Sequence, residues 1–138
     1  MNDLGLLILR VFFGGTMLFA HGWMKLSNYS MFVSQFPDPI GFGPDVALSL
    51  AIFAEVFCAG AVVLGLLTRL ATIPLMITMA VASFVIHIND PFQKQELSLV
   101  FLVAFLVIFI SGSGKYSLQH VLGLTTTHRW KTFSFLLK

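Results

Sequence analysis

Two ionisable side chains lie in the middle of long apolar runs, where a charge needs a partner or a chemical role. Arg10 lies within residues 4–24 and Glu55 within residues 46–66, and both windows are otherwise nearly free of charge. An ionised group on a lone membrane helix costs roughly 2.5–3.5 kcal/mol on insertion scales, so such groups usually pair, line a hydrated cavity or take part in chemistry. Because the two charges are opposite, we expect Arg10 and Glu55 to pair between two helices.

Arg10 belongs to a polar stripe on the first apolar run. At 100° per residue one helical face carries the following residues: Arg10, Gly14, Met17, His21 and Lys25. Polar groups on such a face would have no partners in lipid, so we expect the face to point into a helix bundle. A rise of about 1.5 Å per residue places His87, on the third run, near the depth of His21. The sequence therefore predicts one polar column that runs from Arg10 through Glu55 to His21, His87 and Lys25.

Each of these residues also has a structural interpretation, which the sequence leaves open. An Arg10–Glu55 pair can fix helix register as well as bind a proton or a ligand. Lys25 can extend its ammonium group toward headgroups, and His87 suits a helix C-terminus, where a cation is favourable. His21 and His87 are also able to ligate iron, but without a further signature we expect neither haem b nor a metal site.

The elements that must position these residues are membrane-spanning helices. The chain has 138 residues, of which 57% are hydrophobic and 10% are charged, whereas a soluble domain carries about 25% charged residues. A helix of about 20 apolar residues crosses the hydrocarbon core, and four segments qualify: residues 4–24, 46–66, 70–88 and 97–112. The sequence therefore predicts an all-α bundle of four transmembrane helices, forming one integral membrane domain over residues 1–138.

Loop length and charge predict the topology of this bundle. Residues 67–69 are so short a connection that spans two and three must form an antiparallel hairpin. In the first loop, residues 27–36 are typical of a short interfacial helix, with Ser27 or Asn28 as its N-cap. Basic residues concentrate in the second loop and the tail, which places both termini in the cytoplasm and residues 116–138 on the inner membrane surface. The formal charge of +2 is too small to indicate a nucleic-acid partner.

Small residues recur along one face of the second span. They are spaced three and four apart: Ala47, Ala51, Ala54, Cys58, Ala61 and Gly65. Such a face lets helix backbones approach closely, which is how membrane helices pack. It predicts either packing within the bundle or a contact in a homo-oligomer.

Short motifs distributed over all four spans form a specific set. They are Leu9-Arg10-Val11 with Gly14, residues 19–26, Glu55, residues 65–69, His87, Glu96 and residues 112–118. Together these motifs resemble the DoxX family over about residues 4–119. The resemblance implies a four-helix protein of the bacterial inner membrane, in a family associated with quinone-linked oxidation of sulfur compounds and with redox complexes that counter oxidative or thiol stress. The family usually has an acidic residue after its final Ser-Leu, where this chain has Gln119.

We therefore expect a quinone-interacting component of a membrane redox system, in effect a subunit of a quinone-linked oxidoreductase. Arg10, Glu55, His21 and His87 are the candidate catalytic residues, and Arg10, His21, Lys25 and Glu55 are the candidate ligand-binding residues. Electrons would come from a soluble or membrane oxidoreductase partner, because the chain has no signature of a redox centre of its own. Two alternatives stay open: a non-enzymatic adaptor whose tail docks a soluble oxidoreductase, and a small-molecule transporter that acts as an oligomer.

Overall fold

The computed structural model describes residues 2–124 and 135–136, and within them four long helices are apolar enough to cross a membrane. These are α1 (Asp3–Ser27), α3 (Pro44–Leu64), α4 (Thr68–Ile86) and α5 (Phe92–Ser111). Two short helices accompany them, α2 (Tyr29–Val33) in the first loop and α6 (Leu118–Val121) after the last span. No strand occurs in the described part of the chain. The predicted all-α architecture with four spanning helices is confirmed.

The helix boundaries differ from the predicted ones most clearly in the first loop. Ser27 is the last residue of α1, and the side chain of Asn28 donates a hydrogen bond to the carbonyl oxygen of Met24, 3.0 Å away. Asn28 therefore finishes α1 and also occupies the N-cap position of α2, as one of the two predicted alternatives had it. Its side chain makes no capping hydrogen bond, and α2 spans only Tyr29–Val33 within the predicted residues 27–36.

Three of the spanning helices contain a π-helical turn. These turns are Met17–Gly22 in α1, Phe53–Cys58 in α3 and Ala82–Ile86 in α4. Each turn contains an extra residue and so interrupts the α-helical hydrogen-bond pattern, a feature that is frequent at functional sites. The first two turns pack against each other. A Cβ atom on Gly22 would lie only 2.6 Å from the carbonyl oxygen of Glu55, so this contact requires glycine.

Glycine contacts set the relative position of the antiparallel helices α1 and α3. Gly22 lies against Glu55, Gly14 lies against Ala59, and the position of Gly65 leaves room for the guanidinium group of Arg10. The residue numbers rise along one helix as they fall along the other. This register places Glu55 level with the C-terminal part of α1 and far from its N-terminal part.

The bundle has two distinct ends, which differ in the residues they contain. The terminal end contains Asn2, residues 65–67 and residues 112–121, and the first-loop end contains residues 28–43 and 87–91. The terminal end is held together by Asp3, whose carboxylate accepts a hydrogen bond from the backbone N–H of Lys115 at 3.1 Å. The cytoplasmic location of this end stays a prediction, and residues 125–134, 137 and 138 of the predicted surface tail lie outside the described residues.

The segment after α5 reverses direction and closes the terminal end. Gly112 adopts a φ of 80°, which glycine tolerates and other residues rarely do. Ser117 and Gln119 are buried, and the backbone N–H of Gln119 donates to the carbonyl oxygen of Gly65 at 3.3 Å. Residues 112–118, one of the motifs that carried the family resemblance, are thus a chain reversal that packs on the end of α3.

Candidate functional site

Glu55 pairs with Lys25, and not with Arg10. The ammonium nitrogen of Lys25 lies 2.6 and 2.7 Å from the two carboxylate oxygens of Glu55, so one cation binds both oxygens. The side chain of Glu55 is 2% exposed and that of Lys25 is 17% exposed. The predicted Arg10–Glu55 pair is therefore wrong.

The helix register explains this difference. Lys25 follows Arg10 by fifteen residues, which is roughly 22 Å along a helix. Glu55 packs beside Gly22, so the ammonium group of Lys25, less than one turn further along α1, reaches it with a bend of the side chain. Arg10 lies near the opposite end of α1 and cannot span that distance. The predicted pairing of Arg10 with Glu55 did not include the axial offset between the two helices.

Arg10 lies at the terminal end, where it is completely buried. Its Nη2 atom donates a hydrogen bond to the backbone carbonyl of Tyr116, and its Nη1 atom lies close to Gly65, the C-cap residue of α3. Neither Nε nor Nη1 has a hydrogen-bond partner within the described residues. A cation is favourable at the C-terminus of a helix, because the last carbonyl groups carry a partial negative charge. Arg10 therefore anchors the chain reversal to α1 and α3.

A cavity of about 670 Å³ occupies the half of the bundle nearest the first loop. Most of its lining is apolar, and Met17, Pro74 and Phe101 contribute to it. All four spanning helices and the turn after α4 supply the polar side chains that line it: His21, Lys25, Glu55, Thr78, His87, Lys94 and Ser98. Four of the five predicted site residues thus share one cavity, and Arg10 is the one that lies elsewhere.

The small residues of α3 have a different use from the predicted one in this half of the bundle. Ala47, Ala51 and Ala54 line the cavity, and the buried core begins at Ala54 and continues through Cys58, one turn further toward the terminal end. α3 and α4 pack together through the terminal part of α3, including its π-helical turn. The alanine side chains leave the space that the cavity fills, so the small-residue face serves packing at one end and a void at the other.

His21 lies one helical turn before Lys25 on α1 and lines the same cavity as the Lys25–Glu55 pair. Its ring contacts Phe101 edge-on, with 5.6 Å between the ring centroids and an angle of 81° between the planes. No hydrogen bond to either ring nitrogen of His21 is found within residues 2–124 and 135–136. The imidazole is therefore held by an aromatic contact and keeps both nitrogens for another partner.

His87 belongs to a second polar group, at the first-loop end of the cavity. Its Nδ1 atom lies 2.7 Å from a carboxylate oxygen of Asp90, whose other oxygen is 3.8 Å from the ammonium nitrogen of Lys94. The hydrogen bond from His87 holds the pKa of Asp90 below its ordinary value, and Lys94 adds to this effect. The side chain of Gln95 donates to the backbone carbonyl of His87 at 2.7 Å, which joins α5 to the end of α4.

The sequence interpretation missed the role of Asp90. A histidine followed three residues later by an aspartate, immediately before a proline, is a local pattern that could have indicated this contact. It also missed the bond between the hydroxyl oxygens of Ser83 and Ser98, which are 2.6 Å apart in the buried interface of α4 and α5. That contact depends on the packing of two helices, and no local pattern indicates it.

Residues of the first loop cover the cavity at this end. Phe36 lies 6.0 Å from the ammonium nitrogen of Lys25, measured to the ring centroid. Asp38 fixes the turn that follows, because its carboxylate accepts hydrogen bonds from the backbone N–H groups of Gly41 at 2.9 Å and Gly43 at 3.0 Å. The loop that lines the cavity is thus a closed turn and not an open strand of chain.

Comparison with known proteins identifies a family. Residues 5–88 match the family model of DoxX, a range that includes α1, α3, α4 and the cavity residues that they carry. The chain is also similar to an uncharacterized protein of Haemophilus influenzae, with 29% identity over 141 residues, covering 96% of this chain and 93% of that protein. No solved structure matches the chain.

Proposed function

We propose that this chain, which belongs to the DoxX family and has four membrane-spanning helices, is a quinone-interacting component of a membrane redox system. One observation carries this proposal. A largely buried Lys25–Glu55 ion pair lies on the wall of an apolar cavity, between two helices that are long and apolar enough to cross a membrane. Buried ionisable groups inside a membrane protein are costly, and where they face a cavity they commonly serve a ligand or a proton.

The cavity fits a quinone ring in size and in chemical character. Small-molecule sites are typically about 300–1,000 Å³ in volume, with apolar walls and a few polar groups. The cavity, at about 670 Å³, lies inside this range and has this composition. A quinone has a flat apolar ring and two carbonyl oxygens that accept hydrogen bonds. The polar groups of the cavity are therefore of the kind that this ligand needs.

Lys25 is the residue that would hold a carbonyl oxygen of the ligand. An ammonium group has three N–H donors, and Glu55 occupies two of them. The third donor has no hydrogen-bond partner among the described residues and can bind a ligand in the cavity, and His21 offers a second donor or acceptor on the same wall. A fixed cation at this place stabilises negative charge that develops on a carbonyl oxygen during reduction.

Glu55 and His87 would manage the protons. Reduction of a quinone to a quinol consumes two electrons and two protons, and an oxidoreductase partner supplies the electrons. Lys25 can give one proton to the reduced oxygen of the ligand, and Glu55, which binds the same nitrogen directly, stabilises the ammonium form when the amine takes up a new proton. That proton and the second one that the quinol needs come from water. His87 is about one third exposed and also lines the cavity. It can therefore exchange protons between the water phase and the interior.

Glu55→Gln is the variant that tests this proposal. We expect the variant to remain folded, because glutamine keeps the shape of the side chain and a hydrogen-bond acceptor for Lys25. We also expect membranes in which this variant replaces the wild-type protein to lose quinone-dependent electron transfer. Glu96→Gln is the matched control, since Glu96 is exposed on α5. Decylubiquinone binding to purified protein in lipid nanodiscs is measured in parallel. Full binding and full turnover in Glu55→Gln would remove Glu55 from the mechanism.

The adaptor function is the second candidate, and one contact in the tail favours examining it. Arg69 donates a hydrogen bond to the backbone carbonyl of Phe135 at 2.9 Å and stacks on the Phe135 ring at 4.0 Å. A tail that docks an oxidoreductase would use this region near the terminal end. Truncation after Leu124 separates the two candidates: an adaptor loses its partner in co-purification, whereas a quinone site inside the bundle keeps its ligand.

A further inference from the structure

We propose that the ligand enters the cavity from the bilayer, through a portal between α3 and α4 formed by Leu50, Phe53 and Ile77. The ligand class is then an uncharged, lipid-soluble amphiphile. The proposal rests on the proposed function only for the identification of that amphiphile as a quinone. The route itself follows from the geometry of the two helices.

The α3–α4 hairpin is V-shaped, closed at the terminal end and open toward the first loop. Residues 65–67 join the two helices at the terminal end, and there the helices pack together. Toward the first-loop end the cavity separates them, with Ala51 on one side and Thr78 on the other. Pro74 lies inside α4 and has no N–H group to continue the helical hydrogen bonds, which is a common cause of a bend. The hairpin therefore opens in the half that contains the cavity.

Three apolar side chains are exposed at this opening. Leu50 and Phe53 are each 51% exposed and Ile77 is 59% exposed. All three lie in helices that cross the membrane, and all three also line the cavity. In a membrane-spanning segment an exposed apolar side chain faces hydrocarbon. Leu97 of α5 also lines the cavity and is 54% exposed, but α5 packs closely against α4, so the side chains that mark an opening to hydrocarbon are those between α3 and α4.

The first loop covers the other approach to the cavity. Phe36, Pro37, Pro39 and Ile40 line the cavity at the first-loop end. Asp38 holds this turn closed through its hydrogen bonds to two backbone N–H groups. Entry from water at this point requires the turn to open, whereas the side chains between α3 and α4 are about half exposed and no loop in the described part of the chain covers them.

The charges in the cavity are balanced. Among the described residues, the lysines that line it each have an acidic partner: Lys25 pairs with Glu55 at 2.6 Å, and Lys94 lies 3.8 Å from Asp90. An anionic ligand bound to Lys25 would lie beside the carboxylate of Glu55 and be repelled by it. A neutral molecule that accepts a hydrogen bond from Lys25 is not repelled, and a neutral amphiphile is also the kind of molecule that dissolves in the bilayer.

Thiol labelling at Ala51 tests the route without assuming any ligand. Ala51 lines the cavity and is 8% exposed, so an Ala51→Cys variant in a Cys58→Ala background places one thiol inside it. In lipid nanodiscs we expect N-ethylmaleimide, which partitions into the bilayer, to label this thiol. A charged methanethiosulfonate reagent, which stays in water, is expected to label it at least about tenfold more slowly. A tenfold difference in rate corresponds to about 1.4 kcal/mol in the activation free energy.

Narrowing the portal provides the matched comparison. Adding Ile77→Trp is expected to slow labelling by N-ethylmaleimide by about tenfold, because the larger side chain fills the opening. Adding Ile8→Trp is the control, since Ile8 is 61% exposed on α1 and does not line the cavity; its labelling rate should stay within about twofold of the parent. Equal rates for the two reagents, no effect of Ile77→Trp, or no labelling by either reagent would each overturn the proposal.

Protection by decylubiquinone separates the route from the identity of the ligand. If the portal exists and the ligand is a quinone, added decylubiquinone slows labelling of Ala51→Cys by N-ethylmaleimide. If the labelling pattern supports the portal but decylubiquinone gives no protection, the route stands and the quinone function fails. If decylubiquinone protects but the aqueous reagent labels as fast as N-ethylmaleimide, the quinone function stands and the portal fails.

Discussion

Replacing both members of the Lys25–Glu55 pair should cost less stability than replacing either one alone. Lys25→Met leaves the carboxylate of Glu55, which is 2% exposed, without the cation that binds both of its oxygens. Removing one partner from a buried pair typically costs about 3–5 kcal/mol, which is the range expected for this variant. Glu55→Leu costs less, about 1–3 kcal/mol, because Lys25 is 17% exposed and can extend its ammonium group toward water.

The double variant Lys25→Met/Glu55→Leu replaces the ion pair with apolar side chains of similar size. Such replacements are often neutral or stabilising, so we expect its free energy of unfolding to lie within about 1 kcal/mol of the wild type. The coupling energy of the cycle is then about 3 kcal/mol or more, which is at the upper end for residues in direct contact. Reversible unfolding in mixed detergent micelles, followed by far-UV circular dichroism, measures all four proteins. Single effects that simply add in the double variant would show that the two side chains do not interact, and would refute the pairing on which the site is built.

Three further predictions test other parts of the structure. Gly22→Ala should lower the free energy of unfolding by about 1–3 kcal/mol, because its Cβ would meet the carbonyl of Glu55. Gly15→Ala is the control: a Cβ there has nothing within 4 Å, so this variant should raise the free energy of unfolding by about 0.5–1 kcal/mol. Equal effects of the two variants in thermal unfolding would contradict the α1–α3 register. Arg10→Lys should destabilise the protein by about 1–2 kcal/mol, because lysine lacks the planar guanidinium group that binds the carbonyl of Tyr116. Quinone binding in nanodiscs should stay unchanged, because Arg10 lies at the terminal end, away from the cavity. Loss of quinone binding in a folded variant would place Arg10 in the quinone site. The pKa of Asp90 is lowered in the folded state. Its carboxylate therefore contributes stability above its unfolded pKa of about 4 and loses that contribution as the pH falls through the lower folded value. Asp90→Asn should weaken the acid dependence of stability, and an unchanged acid transition would contradict the His87–Asp90 contact.

The overall fold could be predicted from the sequence because the lengths of the apolar runs determine it. Four runs of about 20 apolar residues allow few structures other than four spanning helices. The polar face of α1 was also predictable, since helical periodicity alone places Arg10, Gly14 and Met17 on one side, and all three are buried. The side of the membrane on which each end lies stays a prediction based on the distribution of basic residues.

The partner of Glu55 could not be predicted, because it depends on the axial offset between two helices. Periodicity gives the direction in which a side chain points, but it does not give the residue opposite. That residue is set by Gly22, whose lack of a side chain lets α1 touch the backbone of α3 at Glu55. The cavity was hidden for a related reason. Ala51 and Ala54 are small residues that equally suit close helix packing or an internal space, and only the divergence of α3 and α4 decides between these uses.

The position of Arg10 shows why the requirement that charges pair with charges is too narrow inside a membrane protein. Backbone carbonyls also satisfy buried cations, and both arginines in the described part of the chain use them. Arg10 binds the carbonyl of Tyr116, and Arg69 binds the carbonyls of Phe109 and Ile110 at the C-terminus of α5. A guanidinium group suits this task because its donors diverge in one plane. Since carbonyls at the terminal end hold the arginines, the carboxylate of Glu55 is left for Lys25, and the ion pair lies where the cavity is.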